Sequence, residues 1–280
     1  MKSSARPGPH AGPVERARSL LFVPGNRPDR FDKAAASGAD LVVVDLEDAV
    51  APHDKAAARR HVANWVVDHQ GAVRVNATTS PEHDADVEVL VGLAGLQGVV
   101  VPMADDPAAL ATLAARLGKD VAVVALVETA LGLHRVHEVA TAPGVTRLAF
   151  GHLDFAADIG SSTDDTAMLM ARSTLVVASR AAGLPGPVDG TTTALDDPEA
   201  AARDAAGARA LGFTGKLCIH PSQVRPVNAA FSPTDDEVAW ARRVLEASNA
   251  GGVARVDGHM VDAPVLLRAT KILALQRDPR

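Results

Sequence analysis

The sequence predicts an α/β protein, a closed (β/α)8 TIM barrel with a C-terminal helical extension or lid. Three observations lead there. Short aliphatic runs alternate with longer Ala-, Leu- and Arg-rich stretches from Ser19 to near the C-terminus. The runs are almost unbroken, as in Leu41-Val42-Val43-Val44, which is how strands buried on both faces read, and which implies parallel pairing under covering helices. The eight runs and their partners fill a length of roughly 250 residues, typical of this barrel, with a doubly wound open sheet as the alternative.

In order, the expected strands are Ser19–Val23, Asp40–Leu46, Ala72–Asn76, Gly98–Pro102, Val121–Val127, Arg147–Gly151, Gly186–Asp189 and Lys216–His220. Between them, helices are expected over Asp29–Ser37, His53–Asp68, Asp84–Leu96, Pro107–Leu117, Leu133–Ala140, Thr166–Ala182 and Pro198–Leu211, each with apolar residues three and four apart. Two more follow, Asp235–Ala247 and Pro264–Gln276, on either side of a Gly251-Gly252 break. The domain reading is a disordered tail over residues 1–15, a barrel over 16–232 and C-terminal helices with a lid over 233–280.

Composition narrows the function. The 280 residues are 47% hydrophobic and 22% charged, with a net charge of -6, so a globular chain is expected that lacks the basic footprint of a nucleic-acid or anionic-lipid binder. One cysteine, Cys218, makes no internal disulfide and no thiolate zinc site, which points to a reducing cytoplasm. No secretory leader or membrane span is read.

Polar residues gather at the C-terminal ends of the runs: Asp45, Glu47 and Asp48; Arg74 and Asn76; Glu128; His152 and Asp154; Asp189; His220. In a barrel these share the rim where active sites lie. Glu128 and Asp154, on the fifth and sixth strands, suit one divalent ion, and a set so sparse suits Mg2+; N-capping of the following helices is the structural alternative. Arg74 offers a planar fork for a carboxylate or oxyanion, or pairs structurally with Glu47 or Asp48. The Asp45-Leu46-Glu47-Asp48 segment binds a metal, positions another ligand or satisfies loop amides and Arg74; sequence alone does not choose. Asp262 reads locally as the N-cap of the last helix, and His220 as a turn residue. Phe22-Val23-Pro24-Gly25-Asn26-Arg27 with Arg30 and Lys33 is a basic turn, solvated or facing an anion.

The segments Arg18–Gly25, Asp45–Val50, Val73–Asn76, Glu128–Gly132, Phe150–Asp158, Pro187–Gly190 and Cys218–Gln223 together resemble the citrate lyase β-subunit-like branch of the HpcH/HpaI aldolase superfamily, which includes malyl-CoA and citramalyl-CoA lyases. The resemblance implies a homotrimer or hexamer with Mg2+ on Glu128 and Asp154. It implies a catalytic set of Arg74, Glu47 and Asp262, the last borne on a lid that enters a neighbouring subunit. Substrate contacts are implied at Phe22, Arg27, Lys33, Arg74, Glu128, Leu153, Asp154, Ile219 and His220. The expected reaction is Mg2+-dependent cleavage or formation of a carboxylated 3-hydroxyacyl-CoA, yielding an acyl-CoA and a 2-oxo acid. A citrate lyase β subunit acting on a citryl-acyl carrier protein, a non-catalytic CoA-binding barrel and a thioester hydrolase are the alternatives. Leu153 and Met103 depart from the usual family pattern and mark where specificity is expected to differ.

Overall fold

The structure is a computed structural model that describes residues 12–195, 197–249 and 255–276. Eight parallel strands close into a barrel: β1 (Ser19–Pro24), β2 (Leu41–Asp45), β3 (Gly71–Arg74), β4 (Leu96–Val101), β5 (Ala122–Val127), β6 (Val145–Phe150), β7 (Val188–Asp189) and β8 (Gly215–Cys218). Closure is by β8 against β1, in the register Leu20 with Leu217. Alternate residues point inward, and Leu20, Leu41, Val43, Ala72, Val100, Val124, Ala149, Val188 and Leu217 share one buried cluster. The barrel is therefore a filled aliphatic core, and its polar work is left to the strand ends.

Around it run α1 (Pro13–Arg16), α2 (Phe31–Ala35), α3 (Lys55–Asp68), α4 (His83–Leu90), α5 (Pro107–Leu117), α6 (Ala130–His134), α7 (Val136–Thr141), α8 (His152–Ile159), α9 (Asp165–Ala181) and α10 (Pro198–Leu211), followed by α11 (Val224–Phe231). Several of the helices begin where a side chain satisfies a free amide. Asp106, Thr129, Asp164 and Asp197 cap α5, α6, α9 and α10.

Several expected boundaries are corrected. The tail expected over residues 1–15 does not reach its stated end: residues 1–11 lie outside the described part, but Pro13–Arg16 is a helical turn whose Val14 is buried in the barrel cluster. Burial of Val14 and Ala17 and the hydrogen bonds of Arg147 to their carbonyls hold this turn against the barrel. The helix expected over Asp84–Leu96 stops at Leu90, because Val91 is extended and Gly92 turns with φ 79. The helix expected over Leu133–Ala140 is two, α6 and α7, joined at Arg135, which leaves the helical region at ψ 11. Strand β7 loses Gly186 and Pro187, since Pro187 has no amide to donate and the Gly186 carbonyl is taken by Thr214 Oγ1 and Arg147 Nε. The helix α11 was not foreseen, and α8 begins at His152, ahead of Asp154 rather than after it.

Contacts divide the chain at Asn228 and Ala229 into two units. In the second, α12 (Asp235–Asn249) packs on α13 (Ala263–Leu275) through Val238, Ala241, Val244, Ala269 and Ile272. Trp240 lies under the Arg268 guanidinium, 5.1 Å from its ring centre. A two-stranded hairpin, β9 (Arg255–Val256) and β10 (His259–Met260), precedes α13.

Candidate active site

The C-terminal mouth of the barrel holds a cavity of about 390 Å³ lined by Phe22, Asp45, Asp48, Arg74, Leu126, Glu128, Phe150, Gly151, His152, Leu153, Asp154, Leu217 and Ile219, among others. Parallel strands deliver these side chains together because every strand ends on this face.

Arg74, the last residue of β3, is the centre of the charge. Its Nε and Nη2 donate to Asp45 Oδ1 and Oδ2 at 2.7 and 2.6 Å, a bidentate pair, and its Nη1 lies 3.3 Å from Asp48 Oδ2. Phe22 supports the guanidinium from β1 at 5.0 Å from its ring centre. Burial works against the charge of Arg74, but the Asp45 hydrogen bonds and the surrounding carboxylates more than offset it, and its pKa is raised. Asp45 is itself held by the amides of Glu47 and Ala49. The same loop is pinned from outside by Lys55, whose Nζ donates to the carbonyls of Leu46 and Glu47 and to Asn76 Oδ1.

The carboxylates that are not neutralised are the informative ones. Glu128, just past β5, is 4% exposed; burial pushes its pKa up to about 8, with Glu47 and Asp154 adding to the rise against the Met103 amide and Arg74. Burial likewise lifts Glu47 to about 7, opposed by Arg74 and reinforced by Asp48, Asp45 and Asp154. Glu47 Oε2 stands 2.8 Å from Arg74 Nη1 but makes no hydrogen bond, a buried oxygen left without a directed donor. Asp154 makes no hydrogen bond or ion pair among the described residues and is exposed in the first turn of α8. N-capping does not account for either carboxylate. Thr129 caps α6 by accepting from the Gly132 amide at 2.9 Å, and α8 begins at His152 with no side-chain cap. Asp158 of α8 accepts from the Ala130 amide at 2.7 Å, which ties the segment after Glu128 to the helix that carries Asp154.

Crowded, mutually repelling carboxylates around one already paired guanidinium fit a divalent cation. Among the described residues no three His, Cys, Asp or Glu side chains form a metal cluster; Glu128 and Asp154 are a two-residue candidate set, one that would leave positions for water and ligand oxygens, as magnesium sites commonly do. A dianionic ligand entering this mouth without such a cation meets net negative charge.

The structure brings Phe22, Arg74, Glu128, Leu153, Asp154 and Ile219 to the cavity wall, with Glu47 reaching it through Arg74. It does not bring Arg27, Lys33 or His220 there. Arg27 is exposed and pairs with Asp29 at 2.8 Å; Lys33 is exposed on α2. His220 is exposed beyond β8, its Nδ1 2.7 Å from Ser222 Oγ. Asp262 belongs to the second unit, is exposed, and caps α13 by accepting from the Val265 amide at 3.1 Å. Sequence reasoning missed Lys55, a lysine 8% exposed on the first turn of α3 with no spacing signal to reveal it.

The (β/α)8 barrel with its acid-rich mouth is that of a carbon–carbon lyase by its family match: a model described as a C–C bond lyase of the TIM-barrel fold covers residues 187–277. The chain belongs to the HpcH/HpaI aldolase/citrate lyase family, whose model matches residues 18–221. It is 37% identical to a citrate lyase subunit beta-like protein of Deinococcus radiodurans over 94% of this chain and 98% of that one. It is 35% identical to a (3S)-malyl-CoA thioesterase of Cereibacter sphaeroides, covering 92% and 93% of the two chains. The crystal structure of CitE from Mycobacterium tuberculosis in complex with magnesium, acetoacetate and coenzyme A superposes with a TM-score of 0.80 at 36% identity, covering 95% of this chain and 98% of that one. No helix among the described residues is long and apolar enough to cross a membrane.

Proposed function

We propose that this lyase is Mg2+-dependent and cleaves or forms a carboxylated 3-hydroxyacyl-CoA, giving an acyl-CoA and a 2-oxo acid. The observation that carries the reading is the placement of Arg74 beside Glu128 and Asp154 in one cavity. Glu128 and Asp154 would hold the magnesium ion, which would supply Lewis-acid polarisation of a substrate oxygen. The magnesium and coenzyme A held by the M. tuberculosis relative support the same ligands here.

The chain's own groups do the rest. Arg74 binds the oxo-acid end and shares negative charge as the carbon–carbon bond breaks. Asp45 fixes its guanidinium in one orientation through the bidentate pair, and Glu47 acts on Arg74 by charge contact alone. Phe22, Leu126, Phe150, Leu217 and Ile219 give an apolar wall that keeps water from the thioester-side carbanion. Asp262 of a neighbouring subunit delivers a proton to that carbon, and removes it in the direction of synthesis, within a cytoplasmic homotrimer or hexamer. Arg27, Lys33 and His220, exposed outside the cavity, are assigned in this reading to the polar end of a long thioester. Hydrolysis of the thioester after carbon–carbon bond formation is a second reading, favoured by the name of the C. sphaeroides relative.

The test is to incubate the protein with acetyl-CoA or propionyl-CoA and glyoxylate, pyruvate or oxaloacetate, with Mg2+ or EDTA, and to follow products by mass spectrometry. A CoA adduct that EDTA abolishes is expected. Free hydroxy acid with released CoA selects the hydrolase, and no product from any pair contradicts action on free CoA thioesters.

A further inference from the structure

Among the described residues only Met103 and Asp257 hold a positive φ without being glycine, and Met103, with φ 51, lies just past β4 at the mouth of the barrel. In that region Cβ crowds the backbone, so the conformation persists only where the surroundings hold it. The Met103 side chain is 43% exposed and gives no packing reason for the strain. The backbone does. The Met103 amide donates to Glu128 Oε1 at 2.8 Å, while the next amide, of Ala104, donates to the Leu126 carbonyl at 3.1 Å and locks the turn onto β5. On the opposite side, a Cβ added to Gly151 falls 2.6 Å from Glu128 Cβ and collides with Oε2. The carboxylate is therefore bracketed, one oxygen on an amide and the other against a glycine of the cavity wall.

We propose that Met103 is a positioning residue whose left-handed backbone presents its amide to Glu128 Oε1, fixing the carboxylate so that Oε2 is the oxygen offered to the divalent cation. This rests on the reading that Glu128 holds that cation. Outer hydrogen bonds of this kind orient metal ligands, and their loss typically lowers metal affinity by about 10- to 100-fold. The identity of the side chain is then secondary to its tolerance of positive φ: glycine adopts it freely, whereas a β-branched residue resists it.

The experiment measures Mn2+ binding, by the free-ion electron paramagnetic resonance signal and with Mg2+ as competitor, to wild type, M103G, M103V and E128Q, with melting in EDTA recorded for each. Expected are wild-type affinity in M103G, at least about tenfold weaker binding in M103V with a cooperative melt retained, and no specific binding in E128Q. M103V binding within twofold of wild type overturns the proposal. Absence of Mn2+ binding by wild type, or full binding by E128Q, overturns instead the cation site on which it rests. Should M103V not fold, a backbone ester at position 103, which replaces the amide N–H with an oxygen that cannot donate, takes its place, with the same loss expected and unchanged affinity again overturning the proposal.

Discussion

At the N-terminal end of the barrel one buried guanidinium, Arg147, is surrounded by neutral acceptors, while at the C-terminal end one guanidinium, Arg74, is outnumbered by carboxylates. Arg147 is fully buried and donates to the carbonyls of Val14, Ala17 and Gly186 and to Thr214 Oγ1 at 2.7–3.1 Å. Burial lowers its pKa to about 10, with Glu15 and Asp40 restoring only part, yet its hydrogen bonds sew the chain entering β1 to the starts of β6, β7 and β8. The mouth is the reverse case: Glu128 and Glu47 are held near pKa 8 and 7, and Glu47 Oε2 lacks a hydrogen bond. One end spends its polar groups on closure of the barrel. The other keeps them unsatisfied and so available to a ligand.

The sharpest way to separate the two ends is Glu128→Gln. Loss of a cation ligand removes several kcal/mol of transition-state stabilisation, so turnover falls by about 10³-fold or more. The same change relieves like-charge crowding, so melting in EDTA stays equal to wild type or rises. Steady-state kinetics and calorimetry on one preparation check both halves. Asp262→Asn carries the next effect, a fall in kcat of about 10²- to 10⁴-fold with Mg2+ binding intact; turnover near wild type removes Asp262 from the mechanism and leaves it a helix cap.

At the other end, Arg147→Met leaves buried carbonyls without donors and costs about 2–3 kcal/mol. Urea unfolding should show that loss, while kcat per folded molecule stays close to wild type. A matching fall in kcat would mean that the two ends are coupled.

The smallest expected effect is a pH dependence. A carboxyl whose pKa is higher folded than unfolded still holds its proton where the unfolded chain has released it, so folding stability declines as pH rises until both states are ionised. For Glu47 and Glu128 that window runs from the ordinary value of 4.5 to about 7 and 8. His152, lowered by burial, acts in the opposite direction below its ordinary 6.5. Above pH 6.5 only the carboxyl effect remains between these groups, and cation-free protein should lose on the order of 1 kcal/mol by pH 8. Denaturant titrations in EDTA at several pH values read it, and a flat profile argues against the raised values.

Much of this contrast was legible in the sequence, because a parallel barrel converts the end of each aliphatic run into a rim position. Asp45, Arg74, Glu128 and Asp154 were placed on one face by that rule alone. The place of Glu128 and Asp154 on adjacent strands also suggested their pairing, which the family resemblance reinforced, and the barrel and family assignments hold in the structure and in the matched relatives. What was not legible depends on backbone geometry or on burial far from any motif. Nothing in Val101-Pro102-Met103 announces a left-handed residue aimed at Glu128. Nothing in Lys55 announces a buried ammonium under the Leu46-Glu47 carbonyls, and an isolated Val14 in a Pro- and Gly-rich leader does not reveal that it sits beneath the barrel. The start of α8 was missed because Gly151 read as the end of a strand, although the helix begins at the very next residue, His152.

The most direct measurement is the change in melting temperature on adding millimolar Mg2+ to EDTA-treated protein at pH 8, for wild type and for the E128Q/D154N double variant. Binding to the folded state alone raises wild-type stability in proportion to the logarithm of cation concentration, and the double variant should show no rise. An equal rise in both proteins would contradict a cation site at Glu128 and Asp154.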